Sequence, residues 1–118
     1  MKNEYILFAL QIFTYYILED ASELETRLTT YLLTSFIDSK ETSQYFLRDE
    51  IIFGHELFDE SGKRVKKYLG IGISEADLPK AIDQVNDRNI FQIKGKSSQT
   101  LIIKLNINYL QHAIKQLS

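Results

Sequence analysis

Residues 66–105 read KKYLGIGISEADLPKAIDQVNDRNIFQIKGKSSQTLIIKL, and the order of elements in this stretch decides the fold. Leu78, Ile82 and Val85 stand at i, i+4 and i+7, the spacing that lines one face of an α-helix. Asp77 stands at its N-cap, and Pro79 falls in the first turn, where a missing amide is tolerated. Ile90, Phe91 and Ile93 then lead into Gly95-Lys96-Ser97-Ser98-Gln99, after which Leu101, Ile103 and Leu105 alternate. Alternation on both sides of a polar, glycine-containing turn predicts a hairpin that pairs Gln92–Lys94 with Leu101–Lys104. Upstream, Lys63 to Gly70 has Val65, Tyr68 and Leu69 on one side and Lys63, Arg64, Lys66 and Lys67 around the rest. This predicts a short basic helix closed by Gly70, with Ile71-Gly72-Ile73-Ser74 as a tight link to the next helix.

Helix, turn, helix and hairpin in this order, from Lys63 to Asn106, resemble the helix-turn-helix and wing of winged-helix proteins. The resemblance implies an α+β, mainly α, winged helix-turn-helix fold with extra N-terminal and C-terminal helices. In that family the first helix braces, the second enters the major groove, and the hairpin touches backbone or minor groove. Double-stranded DNA is then the implied partner. Phosphate contacts would come from Lys63, Arg64, Lys66 and Lys67 on the bracing helix, and from Lys94, Lys96, Ser97 and Ser98 on the wing. With Leu78, Ile82 and Val85 turned inward, the outward face of the second helix holds Lys80, Asp83, Gln84 and Asp87. Lys80 can donate to guanine and Gln84 can pair with adenine, whereas Asp83 and Asp87 would face a polyanion.

A chain of 118 residues is one domain by size. Residues 22–106 are expected to form its winged-helix core, flanked by an apolar helix over 1–21 and a C-terminal helix over 107–118. Ser22-Glu23-Leu24-Glu25 has the reciprocal spacing of a capping box, and Leu24, Leu28, Tyr31, Leu32, Leu33 and Phe36 follow at helical intervals. Tyr45 to Phe58 suits either a helix or two short strands, and the reading adopted is a strand near Phe46 followed by a helix. Asp59-Glu60-Ser61-Gly62 is a turn by composition.

Tyr5 to Leu18 is apolar except for Gln11 and Thr14. It is short of the roughly 20 residues a bilayer-spanning helix needs, and it ends in Glu19 and Asp20 rather than at a cleavage site. It is therefore expected to belong to the fold, not to a membrane, and to be covered by the domain, by a copy in a homodimer or by a larger protein partner. Ile107, Leu110, Ile114 and Leu117 form a second stripe, with Asn106 or Asn108 placed to cap it, and this C-terminal helix is expected to pack on the apolar N-terminal one, within one subunit or across a dimer.

The composition narrows the function. There is no cysteine, so disulfides, thiolate metal sites and thiol nucleophiles are unavailable, in keeping with a cytoplasmic location. Walker, GxGxxG and GxSxG patterns are absent, and His55 and His112 lie on separate elements without a close-spaced ligand pair. No enzyme activity, cofactor or metal is expected. Net charge is -2, but residues 1–62 carry four basic side chains against twelve acids and residues 63–118 carry ten against four. That split points to an anionic partner for the second half. The leading expectation is a DNA-binding protein of transcription control or of replication or transfer of a mobile element. The alternative is a non-catalytic interaction subunit or adaptor on the same fold.

Overall fold

The computed structural model of the chain describes residues 20–39, 41–106, 108, 109, 112 and 115. The first helix, α1 (Glu23–Ser39), starts where the Ser22 hydroxyl oxygen accepts the Glu25 amide at 3.1 Å. That is one half of the expected capping box. The other half is absent because the Glu25 carboxylate turns to Arg88, accepting from its guanidinium at 3.0 Å. Leu28, Leu32, Leu33 and Phe36 bury one face of α1, with Leu24 and Tyr31 packed at its margin.

The chain then forms β1 (Ser43–Leu47) and the six-residue helix α2 (Arg48–Phe53), the strand and helix expected in this stretch. Gly54, at φ 85°, closes α2 and opens β2 (Gly54–Phe58). Here the structure departs from the expectation. Lys63 to Gly70 is not a helix: Arg64–Leu69 is a strand, β3, paired antiparallel to β2 from Gly54↔Leu69 to Phe58↔Arg64. The physical reason is the Asp59–Lys63 turn. Asp59 Oδ1 accepts from the amides of Ser61 and Lys63, both at 2.9 Å, and folds the chain back so that β3 has a partner strand. Gly70 is correspondingly no helix cap. It lies against α2, where a Cβ would come within 2.1 Å of the Ile52 carbonyl oxygen, and the next amide, of Ile71, bonds to the Ile51 carbonyl at 3.0 Å.

Beyond this hairpin, α3 (Leu78–Arg88) has Pro79 in its first turn as expected. Asp77 makes no side-chain cap; its backbone is already in the right-handed helical region, and the Ser74 hydroxyl oxygen three residues before it accepts the Asp77 amide at 3.2 Å. Leu78, Ala81, Ile82 and Val85 are buried, and Asn89 ends the helix in the left-handed conformation, at φ 66°. The expected final hairpin is present: β4 (Phe91–Lys94) pairs antiparallel with β5 (Thr100–Leu105), with Ile93 opposite Ile103. β5 also pairs with β1, giving the antiparallel order β1-β5-β4.

The fold of the described residues is thus α+β: three helices, a three-stranded antiparallel sheet and a separate two-stranded hairpin. One face of the sheet, through Phe46, Phe91, Ile93, Leu101, Ile103 and Leu105, joins α1 and α3 in a single core. The Phe36 ring sits 5.2 Å from that of Phe91 and 6.2 Å from that of Phe46. After β5, Asn106 Oδ1 accepts the Tyr109 amide at 3.3 Å, the capping role expected of it. Tyr5 to Leu18 and the stripe Ile107, Leu110, Ile114 and Leu117 lie outside the described residues. Among the described residues no helix is long and apolar enough to cross a membrane.

Two glycines of the hairpin respond differently to the same change. Gly70→Ala forces backbone apart at the Ile52 carbonyl and should lower the free energy of unfolding by about 1–3 kcal/mol. Gly62→Ala meets nothing within 4 Å and carries only the strain of φ 85°, about 1 kcal/mol. Urea unfolding of both variants measures the difference; equal effects would show that the hairpin return is not tightly packed on α2.

Candidate nucleic-acid interface

One solvent-facing surface is built on α3, because an 11-residue helix with four buried positions must show its other faces to solvent. Lys80, Asp83 and Asp87 are exposed there, and Gln84 is half-buried. Gln84 is already engaged: the Ser22 hydroxyl donates to its Oε1 at 2.5 Å, tying it to the start of α1. One flank of α3 is therefore occupied by the α1 terminus.

On the other flank stands the turn between β4 and β5. Lys94, Lys96, Ser97 and Ser98 are all exposed, and Gly95 adopts φ 90° where the turn leaves β4. Lys96 reaches back to α3 and donates to Asp83 Oδ1 at 3.0 Å and Oδ2 at 3.3 Å. The structure thus brings Lys96 to the outward face of α3 and neutralises Asp83, one of the two acids that sequence places there. Lys80 and Lys96 stand with Asp83 and Asp87 on this surface, whereas Lys94 alternates with the buried Ile93 and belongs to the solvent face of the sheet.

Lys63, Arg64, Lys66 and Lys67 do not join it. They are exposed on the β2–β3 hairpin, which packs on α2, and Arg64 is paired with Glu56 at 3.2 Å within the hairpin. The reading that placed them on a bracing helix fails with that helix. What stands directly before the hairpin and contributes to the core is α2, through Ile51.

Three residues that sequence reading passed over hold the surface in shape. Arg48, at the start of α2, is only 7% exposed. Its Nε donates to the Ser98 carbonyl at 3.1 Å, its Nη2 donates to the Lys96 carbonyl, and its amide donates to the Gln99 carbonyl at 2.8 Å. One buried cation thus gathers the carbonyls of the β4–β5 turn. Asn86 of α3 works on the neighbouring strand: its Oδ1 accepts the Ile93 amide at 2.7 Å and its Nδ2 donates to the Ile93 carbonyl at 3.1 Å. β4 is the outer strand of its sheet, and Asn86 satisfies two backbone groups that a further strand would otherwise take. Arg88, with Glu25 on α1 and Asp20 at 3.3 Å, fixes the other end of α3. The Glu25 carboxylate is the main reason that the Arg88 pKa is raised above its ordinary value. Nothing in the sequence marks Arg48, since its role depends on a turn fifty residues away; Asn86, by contrast, is a polar residue one position after a core valine and seven before Ile93.

An open cleft of about 430 Å³ runs along the C-terminal part of α3, lined by Glu25, Gln84, Asp87, Arg88, Asn89 and Tyr109. Its cation is committed to Glu25, and among the described residues no group of three or more His, Cys, Asp or Glu side chains could hold a metal ion. The chain matches no known family model, no curated protein and no solved structure.

Replacing Arg48 by Met keeps the packing volume and removes the donors, so the change should cost about 2–3 kcal/mol. It should also speed amide exchange at Ser98, whose amide bonds to the Gly95 carbonyl. An exchange rate at Ser98 equal to that of the parent protein would contradict the clamp. The hairpin tip has its own pH response. Hydrogen bonds from Ser61 and then Lys63 hold the Asp59 carboxyl below the usual carboxylate range. Because the folded pKa is the lower one, the turn is fully stabilised above the ordinary value and loses that contribution as pH falls through the folded one. An NMR titration should find the Asp59 midpoint below the usual aspartate range, and the Ser61 amide shift should move with it.

Proposed function

We propose that the chain is a non-catalytic winged-helix protein that binds duplex DNA, with α3 as the recognition helix and the β4–β5 hairpin as the wing. The observation that carries this reading is the element order α1-β1-α2-β2-β3-α3-β4-β5, with β5 between β1 and β4 in the sheet and β2–β3 standing outside it. A strand following the first helix, two further helices and a hairpin whose second strand lies in the middle of the sheet is the winged-helix plan. On this reading α2, not Lys63–Gly70, is the bracing helix, and the β2–β3 hairpin is an insertion between bracing and recognition helices.

The chemistry of the exposed surface supports an anionic partner. Lys94, Lys96 and Ser97 offer phosphate contacts from the wing, Lys80 offers a donor on α3, and Lys63, Arg64, Lys66 and Lys67 add charge on the inserted arm. Such a protein acts in transcription control or in the replication or transfer of a mobile element, in the cytoplasm. The rival reading is an interaction subunit that binds protein through α3, and Asp87, exposed on that helix, favours it. The Asp83–Lys96 pair decides how the two readings differ in practice. An exposed ion pair is worth about 0.2–1 kcal/mol, so Lys96 can leave Asp83 for a phosphate at little cost.

Fluorescence anisotropy on mixed-sequence duplex at low salt should give saturable binding. Lys94→Ala with Lys96→Ala should weaken it for all sequences alike and lower the slope of log K against log salt by about 0.9 for each phosphate no longer neutralised. Asp83→Asn should tighten binding by up to about fivefold, through release of Lys96 and removal of repulsion. Absence of binding at tens of micromolar protein, under conditions that exaggerate electrostatic attraction, would remove DNA and leave the interaction subunit.

A further inference from the structure

The β2–β3 hairpin poses a separate physical problem. A two-stranded hairpin is marginally stable alone in water and needs a third strand or a packed face. This one packs on α2 at its base and then shows solvent a run of large apolar side chains: Leu57 is 45% exposed, Phe58 58%, Val65 62% and Leu69 73%. Phe53, at the end of α2, adds 72% beside its base. Apolar exposure gathered on one projecting element marks an interaction surface rather than scattered surface residues.

Its two edges are unlike. β3 carries Lys63, Arg64, Lys66 and Lys67 at or beside the edge, and it is irregular: Leu57 lies opposite Lys66 while Phe58 lies opposite Arg64, so Val65 is an extra residue, a β-bulge. Lysines and bulges are the features that stop an edge strand from pairing. Two copies of β3 side by side would also set like charges against each other. β2 has neither device. From Gly54 to Phe58 it is regular, its one acid, Glu56, is paired with Arg64, and no other strand lies against it among the described residues.

We propose that this hairpin is a dimerisation arm and that its occupant is the same hairpin of a second copy, joined antiparallel through β2 into a four-stranded sheet β3-β2-β2-β3. The arrangement is self-complementary and closes on two copies, whereas β2 against the partner's β3 would propagate into a filament and meet the blunted edge. A two-fold axis near Leu57 sets Leu57 against its own copy and Glu56 beside Phe58 of the partner subunit, so no like charges are opposed. The lysines of β3 end on the outer edges, where they limit the sheet to four strands. The proposal rests on the hairpin alone and is independent of DNA binding.

Light scattering at tens of micromolar should give twice the 13.8 kDa of one chain. The double variant Leu57→Glu, Phe58→Glu should give 13.8 kDa with an unchanged far-UV circular dichroism spectrum. Because the chain has no cysteine, single cysteines report geometry without altering the arm's charge pattern at β2. A short bis-maleimide should link Leu57→Cys chains into a covalent dimer at least tenfold faster than Lys66→Cys chains, which lie one strand further from the axis. A monomeric parent chain, a dimer that persists in the double variant, or equal linking at the two positions would each overturn the proposal. Should the double variant fail to fold, the linking rates decide.

Discussion

An 11-residue helix does not hold its shape in water, and α3 depends on what grips it. Three different forces do so. Leu78, Ala81, Ile82 and Val85 bury its inner face in the core shared with Phe36 and Phe91. Arg88 ties its C-terminal turn to Glu25 of α1, and Asn86 binds the backbone of β4 through both ends of its amide. Apolar burial sets which face turns inward, and the two polar ties set the position along and around the helix axis. The outward face, with Lys80, Asp83 and Asp87, is a consequence of these contacts.

The β4–β5 turn is held from both sides, and the two holds differ in strength. Behind it, Arg48 gives charge-assisted hydrogen bonds to the Lys96 and Ser98 carbonyls from a largely buried position, together worth about 2–3 kcal/mol. In front, the Lys96–Asp83 pair is exposed and worth about 0.2–1 kcal/mol. The backbone of the turn is therefore set by Arg48, and the Lys96 side chain is held loosely enough to change partner. On the proposed reading this is a useful division: the wing keeps its shape while its cation moves from a carboxylate to a phosphate.

Much of this architecture is legible in the sequence where local pattern and tertiary packing agree. Alternation of Leu101, Ile103 and Leu105 around a glycine turn predicts β4–β5, and the i, i+4, i+7 spacing of Leu78, Ile82 and Val85 predicts α3. Ser22 and Asn106 cap as their positions suggest. The pattern misleads at Lys63 to Gly70, because four basic residues around Val65, Tyr68 and Leu69 satisfy a helical wheel as well as a strand. The better signal lies outside that segment, in the turn Asp59-Glu60-Ser61-Gly62 flanked by Leu57-Phe58 and Val65, which is itself a hairpin pattern. Arg48 and the Lys96–Asp83 pair were not legible, since both join residues distant in sequence through a turn whose position only the folded sheet defines.

The proposed DNA-binding role requires duplex to meet α3 and the β4–β5 turn. An amide-resolved NMR titration of the whole chain with mixed-sequence duplex tests it most directly. The account predicts shift changes concentrated at Lys80, Asp83 and Gln84 and across Lys94 to Ser98, with those of Gly54 to Phe58 unaffected. Changes confined to the β2–β3 hairpin, or none at any residue at saturating duplex, would contradict it.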